Sequence, residues 1–409
     1  MEALNARPSR PIYAWLIVFA AFLCFGVVYG TTLYAFPVFV KPVSDAFHVS
    51  RTQVLFGFTL LNVGAGILGI AAGPAVARFG IRNAVVAGLV LLAAGFFLLS
   101  IVHTLTPFYA IYAIIIAFAS SMVSNIGASA LVANWFVADR GRALTVAILG
   151  TSFGQMFIPP FIAKVIAANG LEGGYRTLAV IMIAAAIPVA LLAVDHPEKR
   201  GMQAWGAETA PVTADTPQAP IPSTGEILRR PDFWVVGATY LFAVIVYLGL
   251  GATLVPYALT FGVANTEAAK LAAISGLAAM IGKIGFASFT DRMGLRNTFW
   301  IAIALNLVAI AALLLMHDYD ALYVAAACVG ASAGGMLPVW PGLVAQRFGR
   351  RALPKVMGLM SPMIVSLQGF GAPLVQAMHF QPAYVLFGGS LLLSAVISLG
   401  LSKPAPASA

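Results

Sequence analysis

The stretch "RFGIRN" (78–83) recurs 214 residues later as "RMGLRN" (292–297), and each copy follows the second long apolar run of a set of six. A looser pair, "NWFVADRGRAL" (134–144) and "QRFGRRAL" (346–353), lies between the fourth and fifth runs of each set. Such a parallel repeat is typical of transporters that use alternating access. The repeat predicts two six-helix halves in the same orientation.

The composition assigns the runs themselves to a membrane. Of 409 residues, 61% are hydrophobic and 9% are charged, whereas a soluble domain carries about 25% charged residues. Recurring runs of about 20 or more mostly apolar residues predict transmembrane helices. The predicted fold is an all-α integral membrane protein with twelve such helices, at 12–40, 51–77, 84–103, 107–135, 141–168, 175–194, 232–260, 267–290, 297–316, 319–347, 353–377 and 381–402.

The predicted domains are an N-terminal half (1–194), a linker (195–231) and a C-terminal half (232–409). The linker is rich in Pro, Ala and Thr and lacks periodicity, so we expect it to be mostly disordered. Near its end, Ser223 and Glu226 match a capping box, which predicts a short helix on the cytoplasmic surface.

The net charge of +9 reflects how basic residues are distributed between the two sides of the membrane, and we do not take it as a sign of nucleic-acid binding. Seventeen of the 23 basic residues lie in the gaps on one side of the predicted helices and five on the other. By the positive-inside rule both termini are cytoplasmic, which suits a protein of the cytoplasmic (inner) membrane. The one remaining basic residue is Lys283.

Lys283 lies in "MIGKIGFASFTDRMG" (280–294), eight residues before Asp291 at the predicted helix end. That spacing places it about 12 Å inward, near the midplane of a hydrocarbon core about 30 Å thick. A charge there costs roughly 2.5–3.5 kcal/mol, and such residues are functional by default. All fourteen acidic residues fall at predicted helix ends or in loops. We therefore expect an anionic substrate at Lys283, the alternative being a lysine packed between helices.

A few other polar side chains reach membrane depth. Each could be a substrate ligand, an interhelical hydrogen bond or an aromatic residue at the interface. Together with Lys283, the candidate substrate-binding residues are Tyr34, Asn125, Gln155, Tyr247, Trp340 and Gln368.

The repeated turns resemble the motif G-x-x-x-D-R-x-G-x-R of the major facilitator superfamily. The first copy has Gly73 but carries Ala77 in place of the acid, and the second has Asp291 but carries Ala287 in place of the glycine. The resemblance implies that these turns help to latch the cytoplasmic side. The implied gate residues are Arg78, Arg82, Arg142, Asp291, Arg292 and Arg296.

Three stretches are similar to the monocarboxylate transporters and the bacterial oxalate–formate exchangers: "WLIVFAAFLCFGVVYG" (15–30), "NWFVADRGRALTVAILGTSFG" (134–154) and "TGEILRRPDFW" (224–234). The resemblance implies a substrate-binding cation, usually arginine, at Lys283. The exchangers carry a second cation where this chain has Ile364, which favours a monoanion here. Animal members carry an acid where this chain has Ala279, which leaves proton coupling open.

These observations predict a secondary transporter of small monocarboxylates of the lactate or pyruvate type, coupled to protons. The alternatives are an obligatory organic-anion exchanger of the oxalate/formate type and a non-transporting anion sensor. The five histidines are scattered without a catalytic set, so no enzyme, metal or cofactor is expected. The expected partners are the organic anion, a proton and the lipid bilayer, with no nucleic acid and a monomeric chain.

Overall fold

The computed structural model describes residues 11–137, 139–206, 222–316, 318–348 and 352–399. The side chains of Asn125, Asp291 and Arg292 lie outside this description. Across the described ranges the regular structure is helical, apart from a single β-bridge between Phe136 and Trp205. An apolar chain in a bilayer must satisfy its backbone hydrogen bonds internally, which helices do.

The N-terminal helices follow the apolar runs. Two of the long runs contain π-helical turns, at Gly30–Tyr34 in the first and at Ile111–Ile116 and Met122–Ala128 in the fourth. In chain order the α-helices are α1 (Pro11–Tyr29), α2 (Phe36–Phe47), α3 (Arg51–Phe79), α4 (Ile81–Leu99), α5 (Leu105–Ala110), α6 (Ala117–Ser121), α7 (Ser129–Trp135) and α8 (Arg140–Leu192).

The C-terminal helices begin with a short surface helix. Short 3₁₀ turns lie at Pro197–Arg200 before it and at Leu259–Phe261 after the next helix. The α-helices are α9 (Thr224–Arg229), α10 (Pro231–Ala258), α11 (Asn265–Ala268), α12 (Lys270–Leu315), α13 (Asp320–Phe348), α14 (Leu353–Gln368), α15 (Gly371–Ala377) and α16 (Gln381–Leu399).

The helices account for twelve membrane crossings. In the described part of the chain, eleven continuous helical segments are long and apolar enough to span a membrane. One of them, α8, has 53 residues and would be about 80 Å long if straight. Gly170 breaks it with a φ of 73°, so α8 supplies two crossings. Gly294, with a φ of 79°, likewise divides α12, whose two parts are already counted separately among the eleven segments. The predicted twelve-helix fold is confirmed.

The chain forms two compact units. Among the described residues, the first contains 11–39 and 67–206, and the second contains 40–66 and 222–399. Residues 40–66 therefore pack with the C-terminal helices. Within this second unit, Thr59 Oγ1 donates a hydrogen bond to the Gly369 carbonyl at 2.8 Å.

Glycines allow helices to approach closely inside each unit. In the first unit, a Cβ added at Gly26 of α1 would lie 3.0 Å from the carbonyl oxygen of Gly150 in α8. In the second unit, a Cβ added at Gly371 would lie 3.0 Å from the Cα of Gly249 in α10. These crossings leave no room for larger side chains.

The linker is more ordered than expected. Trp205 pairs with the loop after α7: its N–H donates to the Trp135 carbonyl at 2.8 Å, and its carbonyl accepts from Val137 at 2.9 Å. The expectation of disorder is therefore wrong for residues 195–206, whereas linker residues 207–221 lie outside the described part of the chain. At the other end of the linker, α9 has a capping box in which Ser223 N–H donates to Glu226 Oε2 at 2.7 Å.

Candidate functional site

Lys283 lies on the protein-facing side of α12. Its exposed fraction is 7%, and Ala279 one turn earlier is 1% exposed. By contrast Leu277, Ile281 and Ile284 are 42%, 64% and 54% exposed. Side chains four residues apart share one face of a helix. Lys283 and Ala279 therefore lie on the buried face of α12, while the apolar residues around the lysine in sequence lie on its exposed face.

Lys283 is also in the middle of its membrane crossing. It lies 13 residues after the start of α12 at Lys270 and 11 residues before the break at Gly294. At a rise of 1.5 Å per residue, these separations are about 20 Å and about 16 Å. A position so far from both ends is too deep for the ammonium group to reach water easily along its own helix.

Helix α13 fixes the backbone of Lys283. A Cβ added at Gly334 of α13 would lie within 2.6 Å of the Lys283 backbone nitrogen and closer still to Gly282. Because no side chain fits at Gly334, α12 and α13 meet backbone to backbone at the level of the lysine. This contact fixes the position of the Lys283 backbone, from which its side chain extends.

Trp340 offers a buried donor on the same helix α13. It lies six residues beyond Gly334, about 9 Å along the helix axis. Its ring stacks on Tyr240 of α10 with centroids 5.3 Å apart. Within the described part of the chain, its buried Nε1–H has no hydrogen-bond partner. An unsatisfied buried donor costs about 1–3 kcal/mol, which an acceptor from a ligand would relieve.

Two further candidates lie in the second unit. Tyr247 is buried and follows Tyr240 by seven residues on α10, so both lie on one face of that helix. Gln368 of α14 already uses one of its amide hydrogens within the protein, because its Nε2 donates to Asn62 Oδ1 of α3 at 3.0 Å. The interhelical hydrogen bond foreseen as an alternative role is therefore present at Gln368.

Three candidates lie in the first unit. Tyr34 is half-buried in the π-helical turn Gly30–Tyr34, and Asn125 belongs to the π-helical turn Met122–Ala128. Gln155 of α8 is buried and follows Gly154, where a Cβ would contact Gly26 of α1. π-Helical turns occur frequently at functional sites, so the helix geometry supports Tyr34 and Asn125 as candidates.

The turn after α3 uses an acid that its own motif lacks. Asp195, buried at the end of the first six-helix set, accepts from the Arg82 backbone N–H at 2.6 Å and from Lys199 Nζ at 2.6 Å. Arg82 Nε donates to the Ala190 carbonyl at 2.9 Å. The carboxylate thus caps the N-terminus of α4, where negative charge is favourable.

The hydrogen bonds of Asp195 decide its ionisation. Burial acts to raise the pKa of the Asp195 carboxyl, but hydrogen bonds from Lys199 and the Arg82 amide outweigh it, so that the pKa lies below its usual value. The carboxylate is therefore ionised throughout the physiological range.

The other predicted gate residues are solvent-exposed arginines where the structure describes them. Arg78 lies over the ring of its neighbour Phe79, 5.9 Å from its centroid, and Arg142 is exposed near the start of α8. Arg296 lies 5.7 Å from the ring centroid of Trp300. The side chains of Asp291 and Arg292 lie outside the described residues.

Sequence reasoning missed two residues. Asn62 is a polar residue in an apolar run, which is the same signal that identifies Gln368. Asp195 is the first residue of the predicted linker, and its contact with Arg82 could not be predicted, because 113 residues separate the two.

The sequence also matches a known family over most of its length. The family model described as "Major Facilitator Superfamily" matches residues 15–373 and 249–409. The chain belongs to the major facilitator superfamily. Membership makes this facilitator a membrane-embedded transporter of a small molecule and not an enzyme, as predicted.

Three relatives illustrate its place in the superfamily. The uncharacterized MFS-type transporter YcxA of Bacillus subtilis is 24% identical over 46% of each chain. The oxalate:formate antiporter of Oxalobacter formigenes is 27% identical over 74% of this chain and 68% of that protein. Monocarboxylate transporter 12 of Rattus norvegicus is 28% identical over 43% of this chain and 38% of that protein. The matches with YcxA and the rat protein thus span less than half of those relatives.

A solved structure supports the fold. The crystal structure of a mutant of the nucleoside transporter NupG aligns with 96% of this facilitator and 100% of that chain, with a TM-score of 0.71 and 10% identity. At this identity the likeness supports the twelve-helix fold and carries nothing about substrate.

Proposed function

We propose that the chain is a secondary active transporter of small monocarboxylate anions of the lactate or pyruvate type, coupled to protons and working by alternating access. The observation that carries the proposal is Lys283, a buried cation in the middle of a membrane crossing, on the protein-facing side of α12.

The physics of Lys283 favours an anionic substrate. A lysine at this depth costs roughly 2.5–3.5 kcal/mol, and such residues mark substrate or ion pathways. Lysine acts as a compact point charge and does not grip a carboxylate in two places as arginine does. Ile364, at the position expected for a second cation, is buried and apolar. A single cation favours a monoanion over a dianion.

Neutral donors would complete the site. The indole N–H of Trp340, which has no partner within the described residues, suits a carboxylate or hydroxyl oxygen, and Tyr247 is buried on the neighbouring helix α10. Tyr34, Asn125 and Gln155 are also proposed as substrate ligands. The names of the matched monocarboxylate transporter and oxalate:formate antiporter support small carboxylates as the substrate class.

The coupling has two possible routes after the anion leaves. In the first, Lys283 releases a proton and the neutral carrier returns, which yields net proton-coupled transport. In the second, another anion must bind Lys283 for the return, which yields obligatory exchange. Ala279 is buried and apolar at the position where the resemblance to animal monocarboxylate transporters implies an acid. The exchanger is the second candidate because the match with the oxalate:formate antiporter covers 74% of this chain.

The remaining predictions extend the same proposal. We place the transporter as a monomer in the inner membrane with both termini cytoplasmic, following the positive-inside rule. The two six-helix sets, 1–194 and 232–409, act as the moving halves. The proposed gate residues are Arg78, Arg82, Arg142, Asp291, Arg292 and Arg296.

Uptake into proteoliposomes tests the role of Lys283. We expect Lys283→Ala to lower kcat/KM for radiolabelled lactate about 10- to 100-fold, the loss of a charge-assisted hydrogen bond of about 1.5–3 kcal/mol. Lys270→Ala is the matched control, because Lys270 is an exposed lysine at the start of the same helix that pairs with Glu267 at 2.7 Å. Normal uptake by Lys283→Ala would refute the proposal.

A second experiment separates the coupling modes. Liposomes loaded with buffer alone should accumulate lactate when an inward proton gradient is imposed. Uptake that requires an internal organic anion would instead assign the chain to the exchangers.

A further inference from the structure

The segment Ser223–Trp234, which we name the α9 platform, is held firmly to the second unit. Ile227 is fully buried. Lys355 Nζ donates to the Pro222 carbonyl at 2.8 Å. Arg347 Nη1 pairs with Asp232 Oδ1 at 3.3 Å. These contacts join both ends of α9 to α13 and α14 and fix the orientation of the platform.

The outward face of the platform is apolar. Leu228 is 39% exposed and Trp234 is 54% exposed. Trp234 Nε1 donates to the Leu228 carbonyl at 3.0 Å. This hydrogen bond holds the indole ring of Trp234 beside Leu228 on the protein surface.

The platform lies where a membrane surface would be. Helix α10 begins at Pro231 and its membrane-spanning segment covers Pro231–Phe261, so Trp234 is in the first turn of a crossing. Tryptophan is enriched at this level because its ring is apolar and its N–H is polar. Exposed Leu and Trp side chains, here on α9 and in the first turn of α10, are typical of segments that enter the interface.

The charge of the platform is positive where it meets solvent. Arg229 and Arg230 are exposed, and neither forms an ion pair with another described residue. The neighbouring acids are engaged: Asp232 pairs with Arg347, and Glu226 closes the capping box at the start of α9. Arg230 lies over the ring of Phe348, 5.9 Å from its centroid, and stays exposed. Both arginines are therefore available to a negatively charged group.

We propose that the α9 platform is a docking surface for an anionic phospholipid. Arg229 and Arg230 bind the head-group phosphate, while Leu228 and Trp234 pack against the glycerol backbone and the upper acyl chain. A zwitterionic lipid binds more weakly, because its own cation opposes the two arginines. The inference does not depend on which substrate is transported.

Lipid titration of the purified, detergent-solubilised protein tests the inference. Phosphatidylglycerol should raise the thermal unfolding midpoint at lower concentration than phosphatidylcholine with the same acyl chains. Each basic side chain near an anionic lipid contributes about fivefold in affinity, so R229Q/R230Q should weaken phosphatidylglycerol binding roughly 30-fold. The control R176Q, which removes an exposed arginine paired with Glu172 at 2.9 Å, should leave the preference intact.

Two further arms separate lipid docking from simple anion binding. Trp234→Ala should weaken the binding of both lipids to the same degree, since it removes an apolar contact and no charge. Raising the salt concentration should reduce the phosphatidylglycerol preference. The proposal is overturned if the parent does not distinguish the two lipids, if R229Q/R230Q keeps the preference, or if water-soluble glycerol phosphate reproduces the shift.

Discussion

Replacing Asp195 by alanine tests the turn that joins α3 to α4. The substitution removes the carboxylate that accepts from the Arg82 backbone N–H and from Lys199 Nζ, both at 2.6 Å. It leaves the N-terminus of α4 without its side-chain acceptor. We expect lower stability of the first unit and no change in the hydrogen bond from Arg82 Nε to Ala190.

The size of the effect follows from the exposure of each partner. A hydrogen bond from a partly buried amide to a carboxylate contributes about 1.5–3 kcal/mol, and negative charge at a helix N-terminus about 0.3–1 kcal/mol. The side chain of Lys199 is 61% exposed, so its ion pair contributes at most about 1 kcal/mol. Asp195→Ala should therefore cost about 2–5 kcal/mol, and the control Lys199→Gln less than about 1 kcal/mol.

The pH dependence has a definite sign. The pKa of Asp195 is lowered in the folded protein, mainly because hydrogen bonds from Lys199 and the Arg82 amide outweigh the effect of burial. A carboxylate with a depressed pKa stabilises the fold fully above its unfolded pKa of about 3.9. This stabilisation is lost as the pH falls through the folded pKa.

Thermal unfolding in detergent measures the difference between parent and variant. The difference should be constant from about pH 8 to about pH 5 and shrink only below about pH 4. Asp195→Asn should be intermediate, because its amide oxygen still accepts from Arg82. Equal stability of Asp195→Ala and the parent, or a difference that changes between about pH 5 and about pH 8, would refute this account of the turn.

Further substitutions test other contacts of the second unit. Gly334→Ala should destabilise the protein by about 1–3 kcal/mol through overpacking and should raise the KM for lactate by displacing Lys283. The control Gly285→Ala, where a Cβ meets no atom within 4 Å, should be neutral or stabilising by up to about 1 kcal/mol. Equal thermal stability of the two variants would contradict the close crossing of α12 and α13. Asn62→Ala and Gln368→Ala should be non-additive by about 0.5–1.5 kcal/mol in a double-mutant cycle of thermal unfolding, since they share a hydrogen bond of 3.0 Å; additivity would show that the bond contributes nothing.

The membrane topology could be predicted because its signals are local. Each crossing is a run of apolar residues, and the repeated turn fixes the order of the runs. Gly80 and Gly294 occupy matching positions in the two copies of that turn, and both have positive φ, at 81° and 79°. The tight turn that glycine permits is thus visible in the motif itself.

Lys283 could also be found from the sequence, since a cation in an apolar run needs no structural context to be noticed. Its burial follows the helical period, because Ala279 lies one turn earlier on the same face. An interhelical hydrogen bond could be foreseen at Gln368, but its partner could not be predicted, since Asn62 is 306 residues away. The π-helical turns at Gly30–Tyr34 and Met122–Ala128 were not predicted either, because the apolar runs in which they lie have the same residue pattern as ordinary membrane helices.

The central claim is that Lys283 binds the carboxylate of the substrate, and ligand-dependent thermal stability measures it most directly. In a screen of small organic acids, a ligand at about 100 times its Kd should stabilise the parent by about 2.7 kcal/mol. The account predicts that monocarboxylates such as lactate or pyruvate stabilise the parent and Lys270→Ala but fail to stabilise Lys283→Ala. Equal stabilisation of Lys283→Ala, or a parent that responds to no small carboxylate, would contradict it.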